Sequence, residues 1–269
     1  MTRADRAAAA ALLALWTFPV YWMIVSSITP DERLFGSPSL LPLDPVLDHY
    51  RAVFGERRFW VPMVSSLVVA GSTTAFALLL GVPAAYAIAR LRFRGKQVIS
   101  SAILAISVFP PTAILSPLFL GLRSVGLIDT WPGLVIPYAT FSTPLAVWLM
   151  TAFFRQLPRD LEEAAIMDGA SRIRAAVSIL MPLAAPGIAT TAILTFLYAW
   201  NEFLFAMSFV VSPERQTVPV AIALFRGQYQ VPWGQVLAAA VVASVPVALV
   251  VLAFQRRIVS GLTAGAVKG

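Results

Sequence analysis

The sequence predicts an all-α, polytopic membrane protein, and three observations carry that expectation. The 269 residues are 59% hydrophobic and only 12% charged, far from the averages of water-soluble domains. Their mean hydropathy is +0.80. Five stretches free of Asp, Glu, Lys, Arg and His, at 7–30, 59–89, 97–122, 130–154 and 227–255, each exceed the ~20 residues that a helix rising ~1.5 Å per residue needs to cross the hydrocarbon layer.

A sixth stretch, 186–211, is interrupted by Glu202 alone. Six spans follow, at about 7–29, 61–89, 97–120, 133–153, 186–209 and 235–255. They are helical because lipid offers no partner for an unpaired backbone N–H or C=O, and no strand-like alternation is present. One domain, 1–269, holds them all.

The first span opens on a charged front and an apolar middle, like a signal peptide, but no small-residue cleavage site follows, so it reads as retained. Six spans put both termini on one side. Segments on that side carry thirteen cations and five acids, the opposite loops seven of each. By the positive-inside rule both termini are cytoplasmic, in a cytoplasmic (inner) membrane. The basic balance thus reports topology and some attraction to lipid headgroups. It does not point to nucleic acid, because no basic face is interleaved with aromatics.

The outer loop 31–59 contains an Asp-His-Tyr run suited to capping a short helix, with His49 expected to be solvated or capping. Prolines punctuate several spans, and "VFPPTAILSP" makes the third the most broken. Broken helices line transport pathways, and kinked packing helices give the same pattern.

Much chemistry is missing. Cysteine is absent and His49 is the only histidine, which leaves no thiolate or imidazole metal site, no disulfide and no catalytic residue set. No phosphate-cradling G-x-x-x-x-G-K-[ST] loop occurs. Proton-coupled carriers use relays of several embedded charges, whereas only Glu202 lies within a span here. A self-powered carrier and a membrane-embedded enzyme are the rivals this disfavours.

The cytoplasmic loop 155–185 is different: "DLEEAAIMDGASRIRAAVSILMP" is charged and amphipathic. Asp160 is expected to cap a first helix in a D-x-x-E capping box with Glu163. Leu161, Ala164, Ala165 and Asp168 then share one face. Gly169 stands where a helix ends in a left-handed residue, and Ser171 can cap the next. Interfacial helices that lie on lipid favour Lys and Arg; this one begins with acids, which favours docking on another protein.

Glu163 to Pro182 resembles the E-A-A-x-x-x-G-x9-I-x-L-P signature of permease subunits of binding-protein-dependent ABC importers, with Gly169, Ile179 and Pro182 in register and Met181 in place of Leu. "YAWNEFLFA" (198–206) is similar to the fifth span of the carbohydrate-uptake branch. "QRRIVSGLTAGAVKG" (255–269) resembles the tail of maltose-transporter-like second permease subunits, so the likeness covers nearly the whole chain.

The resemblance implies the type I permease fold of ABC importers and a non-catalytic subunit that moves sugar by alternating access. It implies a homologous permease partner in a heterodimer, two ATPase subunits and an extracytoplasmic sugar-binding protein. It also implies no cofactor on this chain, with ATP and Mg held by the partner subunits. Glu162, Glu163, Ala164, Ala165, Asp168, Gly169 and Ala170 are the implied contacts to the ATPase. Trp200, Asn201 and Glu202 are candidates for the substrate path, with Glu202 either bonding sugar hydroxyls or bracing helices. Gly261, Gly265 and Lys268 sit in a tail that either frays or reaches the ATPase. Trehalose or maltose is the implied cargo; glycerol-phosphate diesters, amino acids and peptides are carried by other relatives.

Overall fold

The computed structural model describes residues 2–34, 36, 40–42, 44–225 and 231–266, with backbone alone beyond 254. Every regular element among the described residues is helical. Four helices are long and apolar enough to cross a membrane, and two bent helix pairs bring the number to six.

Helix α1 (Arg3–Ser27) opens on a capping box in which Thr2 and Asp5 each satisfy the other's amide. It packs along the last helix, α14 (Trp233–Ala266), and otherwise shows apolar side chains such as Trp16 to the outside. Short helices α2 (Asp31–Leu34) and α3 (Asp48–Phe54) follow. The expected Asp-His-Tyr cap is not formed: Asp48 is the first residue of α3, and Leu47 precedes it without a side-chain bond.

His49 is also placed otherwise than expected. It is buried, its Nε2 lies 3.0 Å from the Thr29 carbonyl, and its ring fills the space beside Gly234. The histidine locks three segments that are distant in sequence. A Cβ on Gly234 would fall 2.2 Å from the imidazole, so Gly234→Ala should destabilise the fold by about 1–3 kcal/mol through overpacking. Thermal unfolding in detergent measures it; an unchanged midpoint would refute this contact.

Helix α4 (Trp60–Arg90) and α7 (Trp131–Gln156) form the centre of the bundle. Ala77, Gly81 and Ala85 recur every fourth residue on α4, all buried, and a Cβ at Gly81 would sit 3.0 Å from that of Ala146 on α7. Small residues let the backbones approach, which drives helix association where lipid removes the ordinary hydrophobic incentive. Pro83 in α4 and Pro137 and Pro144 in α7 leave each helix in one piece.

Between them, the third expected span is not one helix. Lys96–Val108 (α5) and Pro111–Ser124 (α6) meet at 93°. Pro110 and Pro111 remove two consecutive donors, and Pro111 suits the first turn of a new helix.

The turn before α7 is tied to a distant loop. Asp129 accepts the amides of Val211 and Ser212, both at 3.0 Å, and the Ser212 hydroxyl, while Arg215 donates to its carbonyl. Slight burial pushes the Asp129 carboxyl up, but these bonds and the Arg215 cation outweigh it and hold the group below the usual carboxylate range.

The hairpin consists of α8 (Asp160–Met167), α9 (Arg172–Ala175), a π-helical segment over Ala176–Leu180 and α10 (Met181–Leu183). It runs into α11 (Ala185–Trp200) with a 74° bend. The fifth apolar stretch then departs from expectation, because α11 ends at Trp200 and a separate helix α12 covers Leu204–Phe209. A 3₁₀ turn (Pro213–Arg215) and α13 (Val218–Ala223) precede α14 (Trp233–Ala266). The presumed tail thus continues the last helix past 255.

Two cores result. One joins Phe59, Val69, Tyr138, Trp200, Phe205 and Phe209 near α3; the other joins Val82, Ala85, Met150, Phe154 and Leu180 near the hairpin.

Candidate functional site

The end of α8 is built as the sequence predicts. Gly169 adopts φ +85°, its N–H donates to the Ile166 carbonyl at 3.0 Å, and the Ala170 N–H reaches the Ala165 carbonyl at 2.9 Å. These are the two bonds of a Schellman motif. The Ser171 hydroxyl then accepts the Arg174 N–H at 3.3 Å and caps α9.

The start of α8 is not. Arg159 already has helical dihedrals and no side chain caps the helix, so Asp160 is the first helical residue and no capping box with Glu163 exists. Asp160, Glu162 and Glu163 act instead on the positive end of the helix dipole.

The candidate contacts divide into two faces. Glu163, Ala164, Asp168 and Gly169 are exposed, and Ala170 is half-buried. Around them Met167 is 86% and Ile173 77% exposed, an apolar surface left uncovered among the described residues. Glu162 and Ala165 turn inward and are buried. Their side chains face this chain's own packing, and a bulky residue at Ala165 would disturb it.

The inward face fastens the hairpin to the bundle. Tyr86 Oη donates to Glu162 Oε1 at 2.8 Å, and its ring lies edge-on to Phe154 with centroids 6.0 Å apart. Arg90 Nη2 donates to the Leu157 carbonyl at 2.7 Å. Both donors come from the last turns of α4: Tyr86 holds α8 itself, and Arg90 holds Leu157, the residue that ends α7 just before the hairpin. Sequence reasoning missed them because nothing local marks a tyrosine in an apolar helix as a donor to a residue 76 positions away. The one available signal is a lone Tyr a turn before a cationic helix end.

Tyr86→Phe leaves the Glu162 carboxylate without that donor, a cost of about 1–3 kcal/mol. Insertion should be normal, while substrate moved per ATP consumed falls severalfold. An unchanged ratio in proteoliposomes would show that this bond transmits nothing.

The second site lies where α11 breaks. Asn201 turns its amide back to the Leu197 carbonyl at 2.8 Å, and the Glu202 carboxylate accepts the amides of Phe205 and Ala206 at 3.0 and 3.3 Å. Glu202 therefore caps α12. Tyr198, Asn201, Glu202 and Phe203 line an open cavity of about 720 Å³ whose remaining wall is leucine. Trp200 is not among them: it is 4% exposed and stacked on Phe196 within the core, centroids 5.6 Å apart. Rings available to stack on a ligand are those of Tyr198 and Phe203.

The backbone of α14 carries Gly261 and Gly265, whereas Lys268 lies outside the described residues.

Residues 77–263 match the family described as binding-protein-dependent transport system inner membrane component. The chain belongs to this family. It is a multi-pass permease of an ABC importer, a non-catalytic subunit of a system that includes an ATPase and a binding protein. The permease is 46% identical to the trehalose transport system permease protein SugB of Mycobacterium tuberculosis, over 93% of this chain and 92% of that one. It is 41% identical to the sulfoquinovosyl glycerol permease SmoH of Agrobacterium fabrum, over 97% and 92%. It is 40% identical to the trehalose/maltose permease MalG of Thermococcus litoralis, over 94% and 91%. Among solved structures, a chain of a bacterial ABC transporter involved in importing the acidic polysaccharide alginate superposes with a TM-score of 0.77 at 26% identity, covering 95% of the permease and 98% of that chain.

Proposed function

We propose that this chain is the second permease of a carbohydrate importer and that its cargo is a glycoside of disaccharide or short oligosaccharide size, trehalose or maltose first. The observation that carries the reading is the identity of 40–46%, over 93–97% of the chain, with permeases named for trehalose, trehalose/maltose and sulfoquinovosyl glycerol. The open cavity at Tyr198, Asn201, Glu202 and Phe203 supports it, since a carboxylate, an amide and aromatic faces are the groups that bind sugar hydroxyls and pyranose rings.

In this reading the hairpin and both termini are cytoplasmic, and a homologous but different permease completes the pathway. The exposed face of Glu163, Ala164, Asp168, Gly169, Met167 and Ile173 seats in a cleft of one ATPase subunit, while ATP and Mg bind there and not on this chain. Closure of the ATPase pair moves α8. The Tyr86 bond to Glu162 carries that movement into α4, and the pathway turns outward. Cargo delivered by the binding protein meets the broken end of α11, and hydrolysis resets the bundle. The α14 backbone at Gly261 and Gly265 extends toward the same partner.

The test is co-purification with the candidate ATPase and partner permease in nanodiscs, followed by ATP turnover with binding protein loaded with trehalose, maltose or other sugars. Turnover rising with one glycoside supports the reading. Transport by the chain alone in ATP-free proteoliposomes overturns it.

A further inference from the structure

Arg90, Arg92, Arg159 and Arg172, brought from three separate segments, line one cavity of about 330 Å³ together with Glu162 and Glu163. Four guanidiniums face two carboxylates, leaving the cavity with an excess of two positive charges. Among the described residues none of the four arginines takes part in an ion pair. Glu162 is already engaged by the Tyr86 hydroxyl. Arg90 spends one nitrogen, Nη2, on the Leu157 carbonyl. Clustered guanidiniums with too few counter-charges repel one another and attract an anion between them, and the planar fork of arginine matches phosphate oxygens in pairs.

Depth selects the source of that phosphate. Helix α4 has 31 residues, about 46 Å at ~1.5 Å per residue, against ~30 Å of hydrocarbon and ~40–45 Å with headgroups. Its last turn, which carries Arg90, therefore emerges at headgroup level. Phe93, exposed beside Arg92, offers an apolar surface to the glycerol and upper acyl chain.

We infer that this cavity holds the phosphate of an anionic phospholipid headgroup from the hairpin-side leaflet, so that a lipid is part of the joint between α4 and α8. The inference rests on the cytoplasmic placement of the hairpin proposed above. Free phosphate has the same chemistry but lacks the apolar contact, and the experiment separates the two.

The purified complex with its ATPase and partner permease is delipidated and titrated with dioleoyl phosphatidylglycerol, dioleoyl phosphatidylcholine or inorganic phosphate, with native mass spectrometry counting the adducts. Phosphatidylglycerol should be retained and phosphatidylcholine should not, and millimolar inorganic phosphate should leave the adduct in place. Loss of two charge-assisted contacts in the Arg92→Gln/Arg172→Gln variant should lower retention at least about tenfold, with Arg92→Lys/Arg172→Lys restoring part of it.

Equal retention by the Gln variant, equal binding of both lipids, or displacement by inorganic phosphate overturns the lipid site. A Gln variant that keeps its lipid and sheds its ATPase assigns the cavity to protein docking and also overturns it. The wild-type complex reports separately on the coupling reading, because ATPase that never co-purifies defeats that reading whatever the lipid count shows.

Discussion

Gly169→Val abolishes ATP-driven uptake while the chain still inserts into the membrane: this is the largest effect expected of any single substitution here. The cause lies in the backbone. At φ +85° a side chain is disfavoured by about 1–2 kcal/mol, most of all a β-branched one. Space within the chain is not the constraint, since a Cβ at Gly169 would meet nothing within 4 Å. To relieve the strain, valine must give up the Gly169 N–H bond to Ile166 and the Ala170 bond to Ala165, and α9 then leaves α8 at another angle. Those two helices carry the exposed docking surface, so its shape is lost.

A series separates conformation from crowding. Asparagine tolerates the left-handed region, so Gly169→Asn should keep most uptake, Gly169→Ala an intermediate level and Gly169→Val less than about a tenth, a loss that a penalty of ~1.4 kcal/mol in the docking-competent state accounts for. Sugar uptake into cells, normalised to membrane-inserted protein, reads the order. Equal failure of Asn and Val would place the constraint in a close partner surface.

The second large effect is at Glu202. Its carboxylate supplies two hydrogen bonds to the first amides of α12 and also lines the open cavity, so two substitutions are needed to separate its roles. Glu202→Ala removes the cap, worth about 0.5–2 kcal/mol, and should lower both the yield of assembled complex and its thermal midpoint. Glu202→Gln keeps a carbonyl oxygen for the shorter of the two bonds, that from the Phe205 amide, and loses the charge and the longer bond from Ala206. Assembly should then be near normal. A sugar hydroxyl bonded to a neutral rather than charged acceptor gives up about 1 kcal/mol, which raises the substrate concentration for half-maximal uptake roughly fivefold. A Gln variant with unaltered half-saturation would leave Glu202 as a cap alone.

The features legible in the sequence are those specified locally. Long uncharged stretches give the spans, Gly169 gives the helix stop, Ser171 the next start, and Pro110 with Pro111 the break in the third span. What escaped was decided by distant neighbours. Asp160 has the chemistry of a cap, but the chain enters α8 already helical at Arg159. Ala164 and Ala165 look equivalent in the sequence, yet only Ala165 meets the bundle. Trp200 and Tyr198 are both aromatics beside Glu202, and only the packing of Phe196 on Trp200 says which of them is withdrawn. His49 reads as a loop residue because Gly234, the position that makes room for it, is 185 residues away.

The π-helical turn at Ala176–Leu180 has a bearing on how this segment is aligned with others. Each additional residue absorbed by a wide turn rotates everything downstream by about 100° about the axis, given 3.6 residues per ordinary turn. Positions from Met181 onward are therefore out of phase with a helical wheel started at Ser171. A one-residue deletion inside the turn would bring them back into step at the cost of swinging α11, and every side chain it presents to the interior, through the same arc.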